Sequence, residues 1–219
     1  MIRKYLETLS LRRVMAMLLG STALGLGISL FIHAQFGNDA FTAMMLALSD
    51  VTGVFYGHFV ALFGLGLFVI QLFVGRKYIG LGTIVNIIGI GYIASFFNLI
   101  FAVFLNGPIE QQVVRITLVV FGVLSLALGT ALYMSADVGL APYDSLPVVL
   151  SKRFPKVPFF WIRISFDGTC ALVAFLSGGL IGMGTLLTAF GLGPFIAIFY
   201  KLLLPRVQQK KQEGGSYAD

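Results

Sequence analysis

The sequence predicts an all-α integral membrane protein with six membrane-spanning helices, arranged as two three-helix units of opposite orientation. Three observations predict this fold. The composition is 58% hydrophobic and only 11% charged, with a mean hydropathy of +0.95; basic residues cluster between alternate apolar runs; and glycines recur at a fixed interval. Because soluble domains are about half apolar and a quarter charged, most of this chain is expected to face lipid or another helix.

Six apolar runs have spanning length, since a helix needs about 20 residues to cross a bilayer. They cover residues 14–35, 56–74, 82–105, 113–135, 159–176 and 182–204. The first run follows basic residues, as in a secretory signal, but it has spanning length and no clear cleavage site, so we expect it to remain. Two shorter apolar stretches, 38–49 and 142–151, are either re-entrant half-helices or helices lying in the interface.

The basic residues predict that both termini are cytoplasmic. With the N-terminus inside, the segments 36–55, 106–112 and 177–181 are external and contain no Lys or Arg. Only Arg115 and Arg163 lie outside the cytoplasmic segments or their edges. This bias is the positive-inside pattern, and it explains the net charge of +6 without a nucleic-acid partner.

A duplication is indicated by an ungapped match of residues 20–101 with residues 122–203, a shift of 102. Eight glycines coincide in this register: Gly20/Gly122, Gly27/Gly129, Gly37/Gly139, Gly66/Gly168, Gly80/Gly182, Gly82/Gly184, Gly89/Gly191 and Gly91/Gly193. The predicted organisation is a cytoplasmic segment 1–13, unit one 14–105, an external linker 106–112, unit two 113–204 and a disordered cytoplasmic tail 205–219. Because each unit crosses three times, unit two must enter from the opposite side.

The starts of the two short stretches carry the first candidate binding residues. A glycine breaks the preceding span in each unit, and the side chains of Asp39, Thr42, Asp144 and Ser145 could accept hydrogen bonds from free backbone N–H groups. If the short helices are re-entrant, these side chains frame a polar site at membrane depth. If the helices are interfacial, the same side chains are caps and bind nothing.

Arg163 and Asp167 are ionisable residues inside the fifth span, four residues apart and therefore on one helix face. Such groups are costly in lipid, so they indicate a substrate-binding or coupling role or else a structural ion pair. Asn86 in the third span is a further pocket candidate. The G-x-G-T elements at 80–83 and 182–185 are expected to serve tight loops and close helix crossings.

The sequence also resembles a known family. Residues 128–144 follow the pattern L-G-x-x-L-x-x-x-A-x-x-G-x-x-P-[WY]-D, and a basic turn and G-x-G-T come later, as in the YczE/YyaS/YitT group. The resemblance covers about residues 15–204. Unit one departs from it, with Ala40-Phe41-Thr42 where the proline, aromatic residue and aspartate would stand. The resemblance implies a multi-pass protein of the bacterial plasma membrane, often presumed a transporter, without naming a substrate.

The sequence therefore predicts a permease or exporter that moves a small solute by alternating access, with its site between the two units. The alternatives are a substrate-binding membrane subunit of an ATP-driven transporter, a lipid translocase and an accessory membrane protein. Expected partners are membrane lipids and an unidentified small molecule, and either a homodimer or a partner membrane subunit is possible. No catalytic residue, metal site, cofactor or enzymatic activity is expected.

Overall fold

The computed structural model describes residues 10–105 and 109–208, and within these ranges all regular structure is helical. The elements are α1 (Leu11–Ala34), α2 (Ala40–Thr52), α3 (Tyr56–Val74), a 3₁₀ turn (Arg76–Tyr78), α4 (Leu81–Leu105), α5 (Gln112–Ala136), α6 (Pro142–Arg153), α7 (Phe159–Leu176) and α8 (Met183–Gln208). Six of them, α1, α3, α4, α5, α7 and α8, are long and apolar enough to cross a membrane. The predicted all-α, six-span fold is confirmed.

The predicted boundaries differ from the structure mainly at helix ends. α1 begins at Leu11 because the Ser10 side chain accepts a hydrogen bond from the Arg13 backbone N–H, so residues 11–13 are helical. α8 runs to Gln208, which contradicts a disordered tail over 205–208, since a proline removes one backbone hydrogen bond without necessarily ending a helix. α2 and α6 end later than predicted, at Thr52 and Arg153. Residues 1–9, 106–108 and 209–219 of the predicted segments lie outside the described residues.

α1 and α5 form the centre of the bundle. Their most apolar windows are 56% and 39% buried, against 6–22% in the other four spanning helices. The two backbones are so close that a Cβ atom added to Gly129 would lie 2.8 Å from the Gly20 carbonyl oxygen. The hydroxyl of Ser125 donates to the Ala23 carbonyl oxygen at 2.7 Å, across the same contact. Small residues permit this approach, which gives membrane helices their van der Waals contact.

The α1–α5 contact is antiparallel. Gly20, early in α1, contacts Tyr133 near the end of α5, while Phe31, late in α1, contacts Gly122 near the start of α5. The last residues of the two helices therefore lie at opposite ends of the bundle. α4 packs beside α1 and α8 beside α5, and each short helix lies beside a spanning helix of the other half: α2 beside α7, and α6 beside α3.

The chain breaks after α1 and α5 at two glycines in the left-handed region, Gly37 with φ +90° and Gly139 with φ +113°. A Cβ atom on Gly37 would lie 2.6 Å from the Gly182 nitrogen, and one on Gly139 would lie 2.6 Å from the Gly80 nitrogen. Both the conformation and the close approach require glycine. Each break therefore packs on the G-x-G-T element of the other half.

Backbone hydrogen bonds join the same segments in the same reciprocal way. The Gly82 N–H donates to the Val138 carbonyl oxygen at 2.8 Å, and the Gly184 N–H donates to the Phe36 carbonyl oxygen at 2.7 Å. Gly184 lies 102 residues after Gly82, and Val138 lies 102 residues after Phe36. The second hydrogen bond is therefore the counterpart of the first, with the two units exchanged. The glycines of G-x-G-T thus serve close packing, as the sequence predicted.

Candidate functional site

The N-terminal ends of the two short helices meet inside the bundle. The ring centroids of Phe41 in α2 and Tyr143 in α6 lie 4.4 Å apart, and these residues are 102 positions apart in the chain. Asp39 caps α2, accepting from the Thr42 N–H at 3.1 Å, and Pro142 opens α6. Positions that correspond in the two units therefore lie side by side.

Arg163 of α7 bridges two carboxylates at this junction. Its Nη1 lies 2.9 Å from Asp144 Oδ1 in α6, and its Nε lies 3.1 Å from Asp167 Oδ2, one helical turn further along α7. The planar guanidinium offers several donors in a fixed geometry, so it can satisfy both acids at once. The Arg163 side chain is 33% exposed and that of Asp167 is 18% exposed, so the network is only partly accessible.

Tyr143 completes the network from α6. Its hydroxyl donates to Asp167 Oδ1 at 2.7 Å, so both oxygens of that carboxylate are engaged. The Arg163 guanidinium lies over the tyrosine ring, 5.0 Å from its centroid. The Cys170 thiol lies 3.5 Å from the tyrosine hydroxyl. One aromatic side chain thus connects the cation, an acid and a thiol.

Asp39 brings unit one into the same electrostatic environment, because its carboxylate interacts with the charges of Asp167 and Arg163. Burial raises the pKa of the Asp39 carboxyl above its ordinary value, an effect that the hydrogen bonds from Thr42 oppose. Tyr56, at the start of α3, lies close to Thr42 and Asp39. The site therefore has two carboxylates bound to one guanidinium and a third carboxylate, Asp39, within reach of their charges.

Several predicted site residues have other roles in the structure. Asp144 does not cap α6, because Arg163 binds its carboxylate. The residue at the N-cap position is Ala141, and no side chain caps the helix there. Ser145 is fully buried and donates to the Pro142 carbonyl oxygen at 2.9 Å, within its own helix. Neither residue therefore satisfies the free N–H groups of α6 as predicted.

Asn86 is half-buried in α4, and no described hydrogen bond or ion pair joins its side chain to the network. Thr42 is buried beside Asp39, as expected for the first turn of α2. Across residues 10–105 and 109–208, no three His, Cys, Asp or Glu side chains are grouped closely enough to hold a metal ion.

Three residues of the junction were missed at the level of the sequence: Phe41, Tyr143 and Cys170. Cys170 follows Asp167 by three residues and therefore lies on the same helix face. Tyr143 stands between Pro142 and Asp144 in the quoted motif, so its position was visible but its role was not. Phe41 carries no such signal, because an aromatic residue in an apolar helix is ordinarily a packing residue.

Six apolar spanning helices around an ionic network define an integral membrane protein of the polytopic class. The chain belongs to the DUF6198 family, a family of unknown function whose model matches residues 11–201. It is similar to an uncharacterized protein of Haemophilus influenzae, 26% identical over 94% of this chain and 92% of that protein.

Two proteins of Bacillus subtilis are also similar, which confirms the resemblance to YyaS and YczE. The uncharacterized protein YyaS is 28% identical over 90% of this chain and 96% of its own length. The uncharacterized membrane protein YczE is 27% identical over 78% of this chain and 77% of its own length. No solved structure matches the chain.

The network predicts a specific order of stability among variants at Arg163. Arg163→Gln leaves the partly buried carboxylates without a cation, and we expect the free energy of unfolding to fall by about 1–3 kcal/mol. This loss is smaller than the cost of breaking a fully buried ion pair, because a third of the Arg163 side chain is exposed. The triple variant R163Q/D144N/D167N should recover part of that loss, since no unpaired charge remains between these partners. Thermal unfolding of the detergent-purified protein provides the measurement.

Arg153→Gln is the matched control, because Arg153 is exposed at the end of α6 and forms no described ion pair. It should leave the melting temperature within about 1 °C of the wild-type value. A triple variant that is less stable than R163Q would contradict this account of the network.

Proposed function

We propose that this protein is a permease or exporter of a small solute in the bacterial cell membrane, with both termini cytoplasmic. Its two units would be inverted repeats that expose the junction to the two sides of the membrane in turn. The observation that carries the proposal is the network of Arg163, Asp144, Asp167 and Tyr143 where the two short helices meet. Ionisable groups at such a depth are costly, and in polytopic proteins they mark substrate and ion pathways. The proposal contains no enzymatic step.

The reciprocal packing supports an inverted arrangement of the units. The break at Gly37 lies at one end of the antiparallel α1–α5 pair and the break at Gly139 at the other. Met17 of α1 packs with Val138 and Ala141, so the end where α1 begins is also the end where α5 finishes. Two short helices whose first turns meet inside the bundle, after chain breaks at its opposite ends, resemble the discontinuous helices on which such transporters build their sites.

The distribution of basic residues supports the proposed orientation. Arg115 lies at the end of the bundle opposite to the start of α1, where its Nε donates to the Ala34 carbonyl oxygen at 2.7 Å and its Nη2 to that of Gln35 at 2.9 Å. The positive charge of Arg115 thus stabilises the C-terminal end of α1, where the helix dipole favours cations. This local role explains the one exception to the positive-inside pattern at that end.

The excess of carboxylates over guanidinium suggests how transport is driven. Asp167 and Asp144 share Arg163, while Asp39 has only its capping hydrogen bonds. A proton or another cation that enters the junction would reduce this excess of negative charge, and its binding would compete with or release the Arg163 contacts. We therefore assign proton or cation coupling to Asp167 or Asp144.

An asymmetry between the units supports a second conformation. α3 packs along α4, whereas α7 does not pack along α8. A Cβ atom on Gly91 in α4 would lie 3.0 Å from Val60 Cβ in α3, but nothing lies within 4 Å of one on Gly193, the corresponding position of α8. If the units are inverted repeats, the second conformation has α7 packed along α8 and α3 separated from α4.

This exchange can be tested without knowing the substrate. In a C170A background, V60C/G91C should cross-link in membranes. The corresponding pair of unit two, I162C/G193C, should also cross-link with a short bismaleimide, because α7 and α8 come together in the second conformation. In unit one Gly57 packs against Gly91, whereas the corresponding residue of unit two is Phe159. The larger side chain keeps the two helices of unit two further apart, so the reagent must bridge a small gap. Cross-linking is read as faster migration or protease-resistant linkage in gels.

Each single cysteine is the control and should give no intramolecular product. Full cross-linking of V60C/G91C with none of I162C/G193C would mean that the opening between α7 and α8 is fixed. That result would contradict alternating access by exchange of the two units.

Asp167→Asn should abolish coupled movement of the substrate. A metabolite that raises the melting temperature of the purified protein is identified first, since a ligand that binds only the native state stabilises it. Flux of that compound into proteoliposomes should fall about 10-fold or more in D167N, because a hydrogen-bonded charge is lost from the site. Gel filtration checks that the variant is folded.

Asp50→Asn is the matched control, because Asp50 is exposed near the end of α2. It should leave flux unchanged. Wild-type flux in D167N would remove Asp167 from the mechanism, whereas binding without flux in the wild-type protein would favour a substrate-binding subunit over a permease.

A further inference from the structure

Two lysines from different units share one tyrosine ring at the end of the bundle where most basic residues lie. The Nζ atom of Lys77 is 5.2 Å from the ring centroid of Tyr78, and the Nζ atom of Lys152, in the last turn of α6, is 5.3 Å from it. The two ammonium groups are therefore within about 10.5 Å of each other. The two units therefore place two positive charges around one aromatic ring at this end of the bundle.

The arrangement is fixed by backbone contacts between the units. The Leu140 N–H, just before α6, donates to the Tyr78 carbonyl oxygen at 2.8 Å. A Cβ atom on Gly75 would lie 3.2 Å from Val149 Cγ2 in α6. The 3₁₀ turn and α6 are thus held together independently of the lysine side chains.

No ion pair among residues 10–105 and 109–208 joins a carboxylate to Lys77 or Lys152. Arg76 directly precedes Lys77 and Arg153 directly follows Lys152; both arginines are exposed and add further positive charge. Like charges near a low-dielectric surface repel one another, so an anion bound between them would be stabilising.

Apolar side chains beside the lysines indicate which kind of anion fits. Phe73 and Val74 at the end of α3 and Phe154 after α6 are 79%, 48% and 53% exposed. A free anion gains nothing from these surfaces, whereas the acyl chains of a lipid cover them. Basic pockets between membrane helices on the cytoplasmic side are a common mode of headgroup binding.

We propose that Lys77, Tyr78 and Lys152 form a binding site for the phosphate group of an anionic phospholipid, which connects the 3₁₀ turn of unit one to α6 of unit two. The two ammonium groups attract the negatively charged headgroup, and the ring of Tyr78 holds both of them in position. This site is independent of the proposed transport function.

The full-length protein in a nonionic detergent is titrated with phosphatidylglycerol, phosphatidylcholine or inorganic phosphate, and the melting temperature is followed. Phosphatidylglycerol at a tenfold excess over its Kd should raise the wild-type value by about 3–5 °C, and the other two additions should not. K77Q and K152Q should each weaken the apparent affinity about fivefold, and K77Q/K152Q about 30-fold. K77R/K152R, which retains both charges and the ring contacts, should bind as the wild type does.

R12Q/K201Q is the matched control, because it removes two exposed basic side chains elsewhere without touching Tyr78. It should retain the response to phosphatidylglycerol. Equal losses in R12Q/K201Q and K77Q/K152Q would mean general surface attraction and would overturn the site. An equal response to phosphatidylcholine, or the same response to inorganic phosphate, would overturn the assignment to an anionic lipid.

Discussion

The close antiparallel contact between α1 and α5 determines where the rest of the chain can lie. Glycines such as Gly20 and Gly129 bring the two backbones together, and the antiparallel direction places the following chain breaks at opposite ends. Backbone groups freed at a break must find partners, because lipid offers none. The breaks find them on the G-x-G-T elements, where Gly82 and Gly184 donate to carbonyl groups of the other half. The short helices follow these breaks, and their first turns meet inside the bundle.

The ionic network occupies only one of the two sets of positions that the 102-residue shift relates. The positions that correspond to Arg163 and Asp167 are Ala61 and Leu65, and these line an apolar groove of about 300 Å³ between α3 and α4. The same helix face is therefore apolar in unit one and ionic in unit two. The scaffold does not require the charges, because unit one forms its helices without them. A network that costs desolvation, at positions where unit one has apolar residues, supports the proposed role in binding.

Much of the architecture could be predicted from the sequence because lipid restricts it. The lengths of the apolar runs set the number of spans, and the prediction that the G-x-G-T glycines serve close packing is confirmed at Gly82 and Gly184. The pair of Arg163 and Asp167 followed from helical spacing alone. Helix ends such as Leu11 and Gln208 were less predictable, because a local cap or a tolerated proline decides them.

The complete site could not be predicted, because it depends on contacts between residues far apart in the chain. Periodicity places Asp144 at a helix start, where capping is the commonest role, but it cannot show that Arg163 from another helix binds its carboxylate. Asn86 was selected because an amide in a span usually faces the bundle, a rule that does not specify which part of the bundle it faces. Tyr143 was visible in a motif, and only the three-dimensional structure joins its hydroxyl to Asp167.

The account depends most on the two short helices entering from opposite sides of the membrane. Labelling of T52C, at the end of α2, and V157C, between α6 and α7, with an impermeant maleimide in intact cells tests this directly in a C170A background. The account predicts that T52C is labelled from outside and that V157C is labelled only after the membrane is permeabilised. Labelling of both positions from the same side would contradict the inverted arrangement and, with it, a site reached alternately from the two sides.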